Sequence, residues 1–248
     1  MKDVTLLIQG KITQESYNFF VESYPQYPIV FSTWSNHNLD LSYFPHNVTF
    51  IQQKLPANSG KQNMNYQFTS TLNGIDNVKT KFVIKFRGDE FYSNVGNIEN
   101  EIIQNPNKIY TSPIYFRHWS MMQFHISDHI IAGLTSEVKF MFGAAKYAWD
   151  NKLITYEKDG NTEEWWEPEI MLTRAYLMAK YKEKFPNLDG RELMVKHFEI
   201  LSLENLKPYR VICNLWKTFW DSNFIPHNNY SLSKIEEILN EIPPYEQK

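Results

Sequence analysis

The first third of the chain alternates short apolar runs with stretches of helical period, which limits it to folds built on a largely parallel sheet flanked by helices. Val4 to Gln9 reads as a buried strand ending at Gly10. A helix is expected from Thr13 to Tyr24, where Tyr17, Phe20, Val21 and Tyr24 recur at helical spacing, Thr13 offers an N-cap and Pro25 a stop. Pro28 to Phe31 and Val48 to Gln52 are the next strands. Asn63 to Asn73 is expected to be helical, with Met64, Phe68 and Leu72 four apart and Gly74 placed as a C-cap. Phe82 to Phe86 is a fourth strand.

Beyond residue 100 the rhythm changes. Lys108 to Phe116 and Met122 to Ser127 read as strands without clear crossover helices. Glu137 to Tyr147 turns helical, and a polar turn, Lys158-Asp159-Gly160-Asn161, separates it from a strong helix over Pro168 to Glu183. Arg191 to His197 and an amphipathic stretch from Leu232 to Leu239 complete the pattern. Residues 1–248 read as one α/β domain with an open, mixed but mostly parallel sheet and a helical C-terminal part. Residues 1–100 are expected to form one half of it and residues 101–248 the other.

Charge narrows the function. With 25 basic against 28 acidic residues the net charge is −3, which is no electrostatic footprint for nucleic acid. A local cationic site for a phosphorylated small molecule is compatible with that balance. Cys213 is the only cysteine, so an intrachain disulfide is excluded. The short apolar run at the amino terminus falls below a signal-peptide core or a membrane span. These features predict a cytoplasmic protein without a transmembrane segment, and leave peripheral membrane contact open. Aromatic residues reach 16%, enough both to pack a helical lobe and to line a concave site.

The segment KFVIKFRGDEF, residues 81–91, carries the most chemistry. On a strand Phe82, Ile84 and Phe86 share one face while Val83, Lys85, Arg87 and Asp89 share the other. Two cations and a carboxylate at a strand's carboxyl end need partners, and that end is where open α/β sheets bind ligands. Lys85 and Arg87 suit phosphate oxygens, and Asp89 suits Mg²⁺ or Mn²⁺. A salt-bridged strand end is the structural alternative. Gln9-Gly10 and Ser32-Thr33-Trp34 close the first two strands at the same edge, offering close backbone approach, hydroxyls and a stacking face.

Further along, HISDHII, residues 125–131, holds His125, Asp128 and His129. On a helix the two histidines would have metal-ligand spacing, but the flanking isoleucines favour a strand passing into a turn. Asp128 is then a catalytic or acceptor-binding carboxylate, or a turn cap. In EEWWEPEIMLTRAYL, Pro168 suits a first helical turn, and Glu167 and Glu169 suit the positive end of its dipole. The same glutamates could act as a general base beside Trp165 and Trp166, whose faces suit sugars.

The series Ile8-Gln9-Gly10, Ser32-Thr33-Trp34, Asn65, Gln67, Ser70, Gly74, KFVIKFRGD, ISDHIIAG and EPE resembles the WavE-type lipopolysaccharide-synthesis proteins over roughly residues 4 to 180. That resemblance implies a glycosyltransferase of the GT-A fold, hexosyl or pentosyl, with a nucleotide-sugar donor (UDP being the expected carrier), a glycan acceptor and a divalent metal. It places Gln9, Gly10, Thr33 and Arg87 near the nucleotide and Asp89 at the metal and diphosphate; Ser32, Trp34, Gln67 and Lys85 complete the expected donor site. Asp128, Glu167 and Glu169 are its candidates for catalysis. Two departures stand out: Lys11 follows Gln-Gly where proline is expected, and Arg87-Gly88-Asp89 replaces the usual Asp-x-Asp, with Glu90 next. The alternatives are a metal-dependent phosphoesterase built on Asp89, His125, Asp128 and His129, and a non-catalytic carbohydrate-binding protein.

Overall fold

A seven-stranded sheet forms the centre of the protein. The computed structural model describes residues 2–35, 39–112, 123–158, 161–164, 167–201 and 208–211. The first strands are β1 (Val4–Gln9), β2 (Ile29–Trp34), β3 (Val48–Gln53) and β4 (Phe82–Arg87). A short β5 (Glu90–Tyr92) follows, then β6 (Ile109–Thr111), β7 (Ile131–Leu134), β8 (Thr155–Lys158), β9 (Asn161–Glu164), β10 (Phe198–Ile200) and β11 (Pro208–Val211). The helices are α1 (Gln14–Ser23), α2 (Met64–Ile75), α3 (Val95–Gln104), α4 (Thr135–Asp150), α5 (Pro168–Tyr181) and α6 (Gly190–His197). The strand order is β10-β6-β7-β4-β1-β2-β3. Six of these strands run parallel and β7 runs against its neighbours β4 and β6. This is the mixed, mostly parallel sheet that the sequence implied.

Alternation along the strands sorts the core into two layers. Val4, Leu6 and Ile8 of β1 with Phe82, Ile84 and Phe86 of β4 pack against α1 and α3. Leu7, Val30 and Val83 face the other way and pack with α2, α4 and α5. Thr13 caps α1 by accepting from the Ser16 N–H at 3.1 Å.

Several local expectations are corrected. Ser32, Thr33 and Trp34 do not follow β2 but are its last residues, because pairing with β3 continues through Trp34 opposite Gln53. Gly74 lies inside α2 instead of capping it. A Cβ there would sit 2.4 Å from Leu7 Cδ1 and 2.9 Å from Ser32 Cβ, so the glycine lets the helix settle onto β1 and β2. Residues 123–127 are not strand: Phe124 has φ of 62°, a left-handed value that breaks an extended run. The strand begins at Ile131 instead. α3 and β5 were not expected, although Val95, Ile98 and Ile102 are buried at helical spacing. α5 ends at Tyr181 and a 3₁₀ segment, Lys182–Asn187, replaces its expected last residues. β8 and β9 pair antiparallel, with Lys158 opposite Asn161. Asp159, Gly160, Trp165, Trp166, Cys213, residues 113–116 of the 108–116 run, Met122 and the 232–239 stretch lie outside the described residues. Among the described residues no helix is long and apolar enough to cross a membrane.

Candidate functional site

The carboxyl ends of β1, β2 and β4 lie side by side because the three strands are in parallel register, Gln9 opposite both Ser32 and Arg87. Backbone bonds continue the alignment past the strands: the Gly10 N–H donates to Ser32 O at 3.0 Å and the Gly88 N–H to Gln9 O at 2.9 Å. Gly10 has φ of 96° with open space where a Cβ would be, so its backbone turn, not crowding, selects glycine. Gly88 is selected by crowding. A Cβ there would lie 2.4 Å from Lys11 O and 2.6 Å from Ile12 Cδ1, and the loop after β1 therefore rests directly on the turn after β4.

A cavity of about 300 Å³ opens over these ends, the position where open α/β sheets bind ligands. Of the residues proposed from sequence, Gln9, Gly10, Trp34 and Gln67 line it, as do Arg87, Asp89 and Asp128. Lys11, Gln62, Asn63, Tyr66 and Gly88 line it as well. Trp34 and Tyr66 make an aromatic corner with ring centroids 5.5 Å apart. Gln62 and Asn63 both adopt left-handed φ, 47° and 63°, a strained pair at the cavity rim just before α2. Neither they nor Tyr66 carried a sequence signal beyond their place next to Gln67.

Lys85 sits below this cavity, fully buried, and its Nζ donates to the Asp128 carbonyl at 2.5 Å. Burial pushes its pKa down to about 8, partly opposed by the Asp128 charge. The ammonium therefore ties β4 to the Ser-Asp-His segment and does not line the cavity. Ser32 and Thr33 are also fully buried. Ser32 Oγ donates to Ser70 O at 2.6 Å, and Ser70 Oγ bonds Gln9 Oε1 at 2.6 Å, so these hydroxyls brace Gln9 from behind. Asn65 has a structural role, accepting from the Trp149 indole at 2.9 Å.

Arg87 and its two acidic successors form a compact unit. Arg87 Nε and Nη2 donate to the two oxygens of Asp89 at 3.1 and 3.0 Å, and Nε lies 3.2 Å from Glu90 Oε1. Burial opposes the guanidinium's charge, but Glu90 and Asp89 outweigh it and raise the Arg87 pKa. Burial likewise opposes ionisation of Asp89, but the Arg87 bonds and charge hold its carboxyl below the ordinary value. Glu90, 1% exposed, also accepts from Tyr92 OH at 2.8 Å and from His129 Nδ1. Its pairing was not legible from sequence, where it is simply the residue after Asp89.

His129 Nε2 in turn lies 4.0 Å from Asp128 Oδ1, and Gln67 Nε2 donates to Asp128 Oδ2. Asp128 is deeply buried; that disfavours its charge, but His129, Lys85, Arg87 and Gln67 together hold its pKa below the ordinary value. The opposite holds for Glu169 on the first turn of α5, where burial and then the Asp128 charge raise the pKa to about 7. Glu169 Oε2 is 3.8 Å from His125 Nε2. Glu167 occupies the N-cap of α5 with 9% exposure. Neither glutamate lines the cavity; the charges of Asp128 and Glu167 both act on Glu169.

The carboxylates of Asp89, Glu90 and Asp128 are each engaged within the protein. Among the described residues no group of three or more His, Cys, Asp or Glu side chains is set to hold a metal. Both Asp89 oxygens already accept from Arg87. His125 and His129 turn to different carboxylates, Glu169 and Glu90.

The sequence model of the WavE lipopolysaccharide synthesis family matches residues 5–228. The chain belongs to that family. No curated protein sequence matches this WavE chain. Among solved structures it is similar to 2-C-methyl-D-erythritol 4-phosphate cytidylyltransferase from Thermus thermophilus, at 10% identity and a TM-score of 0.42 over 70% of this chain and 84% of that one. It is also similar to the glycosyltransferase GlyE of Streptococcus pneumoniae, at 10% identity and a TM-score of 0.41. That match covers 97% of this chain and 63% of GlyE, so the WavE chain spans less than two thirds of GlyE's length.

Proposed function

We propose that this WavE-family chain is a glycosyltransferase that moves a sugar from a nucleotide-sugar donor to a hydroxyl of a glycan or similar acceptor, in surface-polysaccharide or glycoprotein glycan synthesis. Family membership supports a glycosyltransferase in general terms. The observation that carries the donor reading is the convergence of Gln9, Gly10, Trp34, Gln67, Arg87 and Asp89 on one cavity at the carboxyl ends of three parallel strands. Trp34 and Tyr66 suit a nucleobase or ribose, and Arg87 with Lys11 suits the diphosphate.

In this reading the acceptor oxygen bonds to the anomeric carbon as the bond from that carbon to the diphosphate oxygen breaks. The electron pair leaves on the phosphate, where fixed positive charge stabilises it. The acceptor proton passes to a carboxylate. Asp128, charged and held by Gln67, orients the sugars at the cavity wall. Asp128 lines the cavity, while Glu169, outside that lining, is the second candidate because its raised pKa suits a proton acceptor. The implied Mg²⁺ or Mn²⁺ takes no step here, since Asp89 is already committed to Arg87.

The test is thermal unfolding against UDP-, GDP-, CMP- and dTDP-linked sugars. A ligand at a hundredfold excess over its dissociation constant stabilises the native state by about 2.7 kcal/mol. One nucleotide class should raise the midpoint in wild type and fail to do so in Arg87→Ala. A panel with no shift in any class sinks the donor-site assignment.

A further inference from the structure

We infer that the donor's diphosphate is held by the Arg87 guanidinium and the Lys11 ammonium in place of a divalent metal, with Asp89 and Glu90 acting as positioning residues for that guanidinium. This rests on the donor reading above and assigns its charge chemistry. The resemblance to Asp-x-Asp enzymes places Asp89 on a metal, and the geometry points elsewhere.

A hard divalent cation needs carboxylate oxygens whose charge is not already met. The cavity offers two carboxylates among its described lining residues, Asp89 and Asp128. Asp89 faces Arg87 through both oxygens. Asp128 accepts from Gln67 and lies within the fields of Lys85 and Arg87. Binding a dication at Asp89 would either displace the guanidinium or set two like charges side by side. The position that holds the first carboxylate of the usual triplet is here Arg87 itself, so the substitution puts a fixed cation where an ion-binding oxygen would stand.

The guanidinium is also set up to receive an anion. Asp89 occupies its Nε–Nη2 edge, and the side chain is 34% exposed and lines the cavity. A planar fork gripped along one edge presents the Nη1–Nη2 edge to a phosphate in a set orientation. Glu90 adds a second anchor from beneath, itself held by Tyr92 and His129. Two anchors keep the fork from rotating, so little side-chain freedom is lost on binding. Gly88 brings the second cation: the absence of a side chain lets the Lys11 backbone lie against it, which places Lys11 on the same rim as Arg87. When the anomeric carbon–oxygen bond breaks, the negative charge left on the phosphate meets these groups, and no ion needs to be recruited.

The experiment is calorimetric titration of the full chain, stripped with EDTA, with UDP, GDP, CDP and dTDP. Inorganic pyrophosphate serves as a base-independent probe, and the nucleotides are titrated again in excess Mn²⁺. The expected result is a dissociation constant for the preferred nucleotide that changes less than about threefold between EDTA and Mn²⁺. Arg87→Ala should weaken it on the order of 10- to 100-fold in EDTA, the range of one hydrogen-bonded charge contact. Arg87→Lys, which keeps the charge but not the fork, should fall between, and it guards against a folding defect in the alanine variant. Asp89→Asn should weaken binding equally with and without Mn²⁺. Binding that appears only with Mn²⁺, and whose Mn²⁺ dependence disappears in Asp89→Asn, overturns this inference and leaves the donor site standing. Binding in neither condition overturns the donor site and the inference together.

Discussion

Lys85 allows a quantitative test of how the site is built. Its Nζ is fully buried and donates to the Asp128 carbonyl, and burial lowers its pKa from 10.5 to about 8. The unfolded chain therefore binds more protons than the native state between those two values, so stability rises with pH through that window. A tenfold change in a proton-binding constant corresponds to about 1.36 kcal/mol, so the full effect is about 3 kcal/mol, of which about 2 kcal/mol falls between pH 7.5 and 9.5. The perturbation is Lys85→Met, which keeps the stem and removes the titrating group. Urea unfolding at both pH values gives two stabilities for each protein, and the difference between wild type and variant removes the tyrosines and other groups common to both. Wild type should gain about 2 kcal/mol on the variant over that interval. A difference that is flat with pH would refute the buried-ammonium account and return Lys85 to the set of groups that reach the ligand.

Gly88→Ala drives a Cβ into Lys11 O and should cost about 1–3 kcal/mol in urea unfolding, with nucleotide affinity weakened because the Lys11 loop moves. Gly74→Ala meets Leu7 Cδ1 at 2.4 Å and should cost a similar amount while leaving the dissociation constant of the preferred nucleotide within about twofold once folded. Glu169, raised to about 7, must be deprotonated to act as the base, so kcat should rise with pH through about 7. Glu169→Gln should abolish that limb and lower kcat on the order of 100-fold without changing donor affinity in a titration. A Glu169→Gln enzyme with the wild-type pH profile would remove Glu169 from the chemistry.

Periodicity and local caps were enough to read most of the sheet. Val4 to Gln9 and Phe82 to Phe86 are largely apolar runs of strand length, and Thr13, Pro25 and Pro168 mark helix ends through chemistry that acts within one turn. The alternation Phe82, Ile84, Phe86 against Val83, Lys85, Arg87 also holds, because side chains of a strand alternate whatever its neighbours are. The grouping of Gln9, Trp34 and Arg87 at one edge follows from parallel strands having their carboxyl ends together.

What the sequence left undetermined depends on partners distant along the chain. Ile131–Leu134 is a strand because β4 and β6 flank it on both sides, and nothing local distinguishes it from the apolar residues just before it. Whether Lys85 met a ligand or a carbonyl was decided by Asp128, 43 positions away. Asp89 lies past the end of β4, not on its Lys85–Arg87 face as expected, and only the folded turn at Gly88 brings its carboxylate onto the Arg87 guanidinium. Both oxygens of that carboxylate accept from the arginine two residues before it. The sequence determined which groups gather at the strand ends; tertiary packing decided which of them have their charge satisfied within the protein and which remain available to a ligand.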